Sequence, residues 1–318
     1  MRKAASNDVA FRFMRPYYYA LHEYNMETFG RKLYKLSLQG GTTCPNRDGS
    51  KGTGGCIFCA ADGSGAFTPD GTLSVTEQLE KAVERVSRKM PIQKDEPQFI
   101  AYFQSFTSTY APVEHLRRQF TQAICWPGTA VLDVATRPDC LPPEVIELLE
   151  TLRRQKPVWV ELGLQTAHEA TARVIHRCYE NAVYEKAVQA LHAVGIPVIT
   201  HVILGLPGET KADMLRTVEY LNRVGTDGVK FQLLHVLRGT ALAEMAYTPL
   251  TLEEYTDILL DCIEHLEPQI VVHRITGDGD KRLLLAPLWS GDKKKVLNEI
   301  HKAMRVRDIR QGKRCGKK

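Results

Sequence analysis

The order of apolar segments predicts an α/β protein: an open, partial (βα)6 TIM-like barrel of parallel strands, with a short C-terminal α/β extension and a basic helix. Three observations carry this. Strand-like segments begin near residues 34, 98, 130, 158, 196 and 228. After the first, long unit they recur every 28–38 residues or so, the length of a strand, a crossover helix and two turns. Polar or glycine-rich residues follow all six strands, at the ends where parallel α/β folds collect their reactive groups. Repeated βα units give a parallel sheet with right-handed crossovers, and six are too few to close an eight-stranded barrel.

Each element has its own signal. Tyr34-Lys-Leu-Ser-Leu-Gln alternates as a strand does. Ser74-Val-Thr-Glu77 is a capping box opening a helix that runs to about Met90, with Val75, Leu79, Val83, Val86 and Met90 on one face. A strand at Gln98–Gln104 leads to a helix over Pro112–Trp126, with Val113, Leu116, Phe120 and Ile124 at helical spacing. Ala130–Ala135 is the third strand, and Pro142–Gln155 a helix with proline at its start, where the missing N–H does no harm. Val158–Leu164 is the fourth strand, followed by helical pieces near 167–177 and 181–194. Ile196–Leu204 and Gly228–His235 are the fifth and sixth strands, with a helix opening at Thr210 between them. A capped helix at Thr251–Leu266, a further strand at Gln269–Thr276, a basic helix at Lys293–Val306 and a ragged tail over 308–318 complete the chain. The organisation expected is an N-terminal extension packing on the barrel (1–33), the barrel itself (34–240) and a C-terminal extension (241–318). Arg12, Arg15, Tyr17, Tyr18, Tyr19 and Tyr24 in the first of these suit packing over a domain edge, or stacking on a base.

The 318 residues, 43% hydrophobic and 25% charged, are ample for a buried core. No apolar run approaches the roughly 20 residues of a membrane span, and Met1–Asp8 lacks an apolar signal core. The expected location is therefore the cytoplasm, where the eight cysteines would stay reduced. Of the net charge of +5, Lys293–Lys318 alone carries +9. That pattern fits a polyanionic partner, or a solvated helix and tail.

The most informative stretch is Cys44–Cys59, CPNRDGSKGTGGCIFC, a glycine-rich loop after the first strand with spacing C-x11-C-x2-C. Three thiolates can bind three irons of a 4Fe–4S cluster and leave the fourth iron open. Structural zinc usually takes four ligands, and here only Asp48 and Asp62 could complete the set, since the loop has no His.

This spacing, with TRPD at Thr136–Asp139, ELGLQ at Glu161–Gln165 and GLPGE at Gly205–Glu209, resembles the radical S-adenosylmethionine superfamily. The closer resemblance is to a bacterial subfamily carrying CPNRDG…GGCxFC, related to the radical domain of the elongator catalytic subunit. It covers roughly residues 20–280 and departs from the commonest spacing, C-x3-C-x2-C, by its longer first gap. The resemblance implies that Cys44, Cys56 and Cys59 hold a 4Fe–4S cluster. The open iron would be chelated by S-adenosylmethionine, whose reductive cleavage gives a 5′-deoxyadenosyl radical for hydrogen abstraction. It also implies an external reductant such as flavodoxin or ferredoxin, and transfer RNA as a partner of the basic segment 293–318, the wobble uridine being a possible target.

Implied cofactor contacts are Gln104 and the hydroxyls of Ser105, Thr107 and Thr109 for the methionine end, the alternative being caps for the next helix. Arg137 is implied for the methionine carboxylate, or paired with Asp139. Glu161 would meet the ribose or a buried partner such as Arg137, and Gln165 the ribose or substrate. Gly205, Leu206 and the rest of GLPGE would wrap the adenine, or form only a turn into the helix. Phe58 would shield the cluster or pack in the core. His201 and His235 would face the cavity, and His273 and Arg274 would line the open edge of the barrel. Two competing readings are a zinc-stabilised RNA-binding protein without catalysis, and a radical enzyme acting on a small metabolite or a protein.

Overall fold

The computed structural model describes residues 17–63, 68–87, 99–277 and 279–316. Among them, seven strands form one parallel sheet curled into a half-barrel: β1 (Tyr34–Leu38), β2 (Phe99–Phe103), β3 (Thr129–Thr136), β4 (Val158–Gln165), β5 (Val198–Leu204), β6 (Gly228–Leu233) and β8 (Val271–Arg274). A two-stranded antiparallel ribbon, β7 (Val236–Leu237) with β9 (Leu284–Ala286), stands beside it. The six expected strands are present. The segment at Gln269–Thr276 supplies the seventh, because Val271 N donates to Asp227 O at 2.9 Å and carries the ladder past β6.

The helices are α1 (Leu21–Phe29), α2 (Val75–Ser87), α3 (Val113–Cys125), α4 (Pro143–Arg153), α5 (Glu169–Val174), α6 (Asn181–Ala193), α7 (Lys211–Val224), α8 (Leu252–His265) and α9 (Lys293–Val306). Their starts follow the sequence. Ser74 and Glu77 exchange bonds ahead of α2, and Thr210–Asp213 and Thr251–Glu254 do the same for α7 and α8. The continuation of α2 to Met90, and Gln98, Arg12 and Arg15, lie outside the described residues.

The main core lies between the sheet's outer face and the helices. In α3, for example, Leu116, Phe120 and Ile124 are buried, with the Phe120 ring edge-on to Phe103 at 5.0 Å. Each such side chain contributes about 1.5–3 kcal/mol by leaving water. The inner face is layered. At the N-terminal end of the strands, Trp159 is ringed by Tyr24 (5.8 Å), Phe29 (6.4 Å) and His273 (5.7 Å), so α1 closes the floor. At the other end, Ile203, Leu206, Val236 and Leu242 pack against Ile57 of the cysteine loop.

The end of the chain is a correction. The ragged tail expected over 308–318 is docked as far as it is described. Gln311 donates to Glu267 O and Ile270 O and accepts from Tyr19 N at 2.7 Å, while Arg314 pairs with Glu264 at 2.9 Å. Half-buried polar side chains that find such partners order a terminus whatever its charge.

Candidate radical site

The cysteine loop is held in shape by its own side chains. Arg47 donates to three carbonyls beyond the last cysteine, Cys59 O (3.0 Å), Ala60 O (2.5 Å) and Ala61 O (3.1 Å), and so staples the loop's start to its end. Buried Asn46 donates to His176 O at 2.5 Å and points at Cys56 Sγ, 3.6 Å away. Ile57 N bonds Ile175 O at 3.2 Å. The glycines make room: a Cβ on Gly52 would stand 2.4 Å from Asn46 Oδ1, and Gly55 has φ +83° against Arg47.

The loop's seat is residues 175–179. Arg177 is buried and bonds Leu164 O (3.0 Å), Thr166 O (2.8 Å) and Asn181 Oδ1 (2.9 Å), fixing the end of β4. Arg137 grips Asp139 with two bonds of 2.9 and 2.8 Å, donates to Arg177 O at 3.1 Å and lies over the Tyr179 ring. Its pair with Asp139 is thus in place. Its charge also eases the ionisation of Cys56, which burial and the neighbouring Cys59 push up to about 12. Burial raises Cys59 as well. Buried thiols crowded in this way release protons readily only to a cation, which suits an iron cluster. Among the described residues, no three His, Cys, Asp or Glu side chains gather closely enough to hold a single metal ion.

Next to this loop lie buried polar atoms without partners: the hydroxyls of Ser105, Thr107 and Ser108, and Gln165 Oε1. An unmatched buried polar group is costly, and a ligand with amine, carboxylate and ribose groups would satisfy them. Gln165 has φ +69°, and its amide lies against Gly163, where a Cβ would meet it at 2.8 Å. Thr109 is occupied, bonding Thr136 (2.6 Å) and Cys140 O (2.5 Å). Gly205 takes φ +88°, its carbonyl accepting from Tyr247 at 2.6 Å, and Leu206 packs with Ile57 and half-buried Phe58. Gln104 N follows β2, bonded weakly to Leu38 O at 3.4 Å.

Below the mouth, the lumen carries a layer of ionisable groups. Glu161, wholly buried, accepts from Lys35 (2.6 Å), Tyr102 (2.7 Å), His201 (2.7 Å) and Lys230. Arg137 is not among its partners. Lys35 also pairs with Asp133, whose other oxygen is buried and unpartnered. The Tyr102 ring lies between the ammonium groups of Lys35 (4.3 Å) and Lys230 (4.4 Å). The Gln232 amide meets His201 Nδ1 at 3.1 Å, which assigns the ring hydrogen to Nε2, toward Glu161. Burial opposes Glu161's charge, but Lys230, Lys35 and His201 hold its carboxyl well below the usual range. Burial, then Glu161, raises Asp133 to about 7; burial lowers Lys230 to about 7. Barrel interiors are ordinarily filled by branched apolar side chains, so an ionic layer is exceptional.

Of the groups just described, sequence reasoning gave no role to Arg47, Asn46, Lys35, Tyr102, Asp133, Lys230, Arg177 or Tyr179. A signal existed for the lumen: Lys35, Asp133, Glu161, His201 and Lys230 each stand as one ionisable residue inside an otherwise apolar strand core. His235 packs against Gly277 and Gly279. His273 lies in the floor and Arg274 on β8, the edge strand.

Residues 42–221 match the sequence model of the Radical SAM superfamily, and residues 226–306 match the Radical_SAM C-terminal domain. The chain is 40% identical to YtqA of Bacillus subtilis over 300 residues (93% of this chain, 92% of that one). It is 37% identical to YhcC of Escherichia coli over 294 residues (91% and 92%). Among solved structures, the archaeal Methanocaldococcus infernus Elp3 superposes with a TM-score of 0.66 at 18% identity, covering 89% of this chain and 64% of that one. Methylornithine synthase superposes with 0.52 at 12% identity, covering 91% and 86%; both likenesses concern the fold. No helix among the described residues is long and apolar enough to cross a membrane. The chain belongs to the radical S-adenosylmethionine superfamily, and is an enzyme of that class whose cofactors are a 4Fe–4S cluster and S-adenosylmethionine.

Proposed function

We propose that this enzyme abstracts hydrogen from a nucleoside of transfer RNA, the wobble uridine first among the candidates, in the cytoplasm and with an external one-electron donor. The observation that carries this is the lumen layer, where a polar and ionisable surface lies below the cysteine loop in place of apolar filling. It suits a hydrogen-bonding heterocycle better than an apolar metabolite. Two further relatives support the substrate class: Elongator complex protein 3 of Schizosaccharomyces pombe, 27% identical over 189 residues, and the tRNA-2-methylthio-N(6)-dimethylallyladenosine synthase of Halorhodospira halophila, 32% identical over 90 residues.

Cys44, Cys56 and Cys59 would hold the cluster, and the hydroxyls of Ser105, Thr107 and Ser108 with Gln165 would bind S-adenosylmethionine. When bound, these cofactors supply a one-electron C–S cleavage that yields a carbon radical. The chain's own work is placement. Arg47 and Asn46 fix the cysteines, Leu206 and Phe58 keep water from the loop, and Lys35, His201 and Gln232 would meet the base entering from above. A base reaches such a site only unpaired and splayed out.

The test is anaerobic reconstitution with iron and sulfide, then dithionite and S-adenosylmethionine. Release of 5′-deoxyadenosine is expected, together with its loss in Cys56→Ala. Transfer RNA from cells with and without the protein should differ in one modified nucleoside. Identical nucleoside profiles would reject the substrate while leaving the radical chemistry standing.

A further inference from the structure

The basic C-terminal segment divides into two parts with different fates. In the later part the charges are neutralised within the fold. Arg307 pairs with Asp257 and Asp261 on α8, and Lys313 and Arg314 pair with Glu264. In the earlier part they are not. Lys293, Lys294 and Lys295 occupy the first turn of α9, all exposed, and no carboxylate among the described residues pairs with Lys294 or Lys295. Three cations at a helix N-terminus oppose the macrodipole. Folding does not ask for them there.

Their position matters. Lys293 lines a small cavity with Leu233, Thr276 and Gly277, at the ends of β6 and β8 that face the site. The neighbouring ribbon carries Arg238 and Lys281, both exposed and without a carboxylate partner among the described residues. Arg238 N bonds Leu283 O at 2.7 Å, which keeps the two charges on one arm. That arm is tied to the cysteine loop: Val236 and Ala286 belong to the apolar cluster with Ile57 and Phe58, and Leu242 N donates to Ile57 O at 2.8 Å. Unneutralised cations are therefore arrayed along one side of the mouth, on an arm rooted in the cofactor loop.

We infer that this rim, Arg238, Lys281, Lys294 and Lys295, binds the phosphodiester backbone of the RNA whose base enters the barrel, and that residues 307–314 do not. The inference rests on the transfer-RNA reading above. Binding of the full chain to transfer RNA, followed by fluorescence anisotropy from 50 to 300 mM salt, tests it. Replacing all four residues by Gln should weaken binding about tenfold or more and lower the slope of log K against log salt by about 3. Removing cations from the start of α9 should leave the melting temperature unchanged or higher. Lys302→Gln with Arg310→Gln, a control on the far part of the segment, should change neither affinity nor slope. The pair Arg238→Gln and Lys281→Gln should give about half the slope change by itself. Unaltered affinity in the four-residue variant, with binding by the parent chain, would overturn the rim and leave the substrate reading intact. A parent chain that ignores transfer RNA yet binds anionic vesicles or an acidic peptide overturns both.

Discussion

Glu161 receives four donors from four other strands and is the permanent anion of the lumen. Glu161→Gln would leave Lys35 and Lys230 buried without it, at a cost of roughly 3–5 kcal/mol, read as a lower melting temperature. Asp133 and Lys230 behave otherwise. Asp133 is raised to about 7 when folded, so between about pH 4 and 7 the folded chain holds a proton that the unfolded chain has lost, and stability from this group falls as pH rises. Lys230 is lowered to about 7, so from about pH 7 to 10 the unfolded chain binds the extra proton, and stability rises with pH. The two limbs meet in a minimum near neutrality. Asp133→Asn removes the first limb: its melting temperature relative to the parent should climb from pH 5 to 7 and then level off. A flat difference would mean that Asp133 ionises as an ordinary carboxylate. The sequence shows that a charge in VWVELG needs a partner; it does not show which. Partner choice depends on register between strands 59 to 126 residues apart, and periodicity within one strand is blind to that.

Among the elements, the cysteine loop was the most legible and its scaffolding the least. Spacing alone placed three thiols together after β1. Nothing in CPNRDG or HRCYE separates a stapling arginine or a seating asparagine from ordinary loop polarity, because their bonds go to backbone carbonyls, which every residue has. Arg47→Ala removes three such bonds and should cost about 1–3 kcal/mol of loop stability. The measurement is iron per chain after anaerobic reconstitution, which should drop severalfold while the far-ultraviolet circular dichroism stays that of the parent. Full iron loading would assign Arg47 to the surface alone. The helices, by contrast, were readable nearly to the residue, since caps and apolar periodicity are local. The turn at Gln165 was not, as a positive φ on a long polar residue has no sequence signature.

For the molecule as a whole, the alternation of strands and helices gave the half-barrel. What it could not give was the fate of the last residues, whose charge argued for solvent while Gln311, Arg307 and Arg314 found carbonyl and carboxylate partners. Ending the chain at residue 307 would leave buried Glu264 without Arg314 and free Tyr19 N. Thermal unfolding should then begin several degrees earlier, since an unpaired buried acid costs about 1–3 kcal/mol or more. The bond between Tyr19 and Gln311 spans 292 residues, and this has a kinetic consequence. Closing so long a loop is among the slowest steps a chain of this size can take. The seat of the cysteine loop needs only residues 44–177. During synthesis from the N-terminus, the cofactor loop therefore has all its supports before the aromatic floor is sealed, and the metal site matures while the opposite end of the barrel still waits for the last stretch of chain.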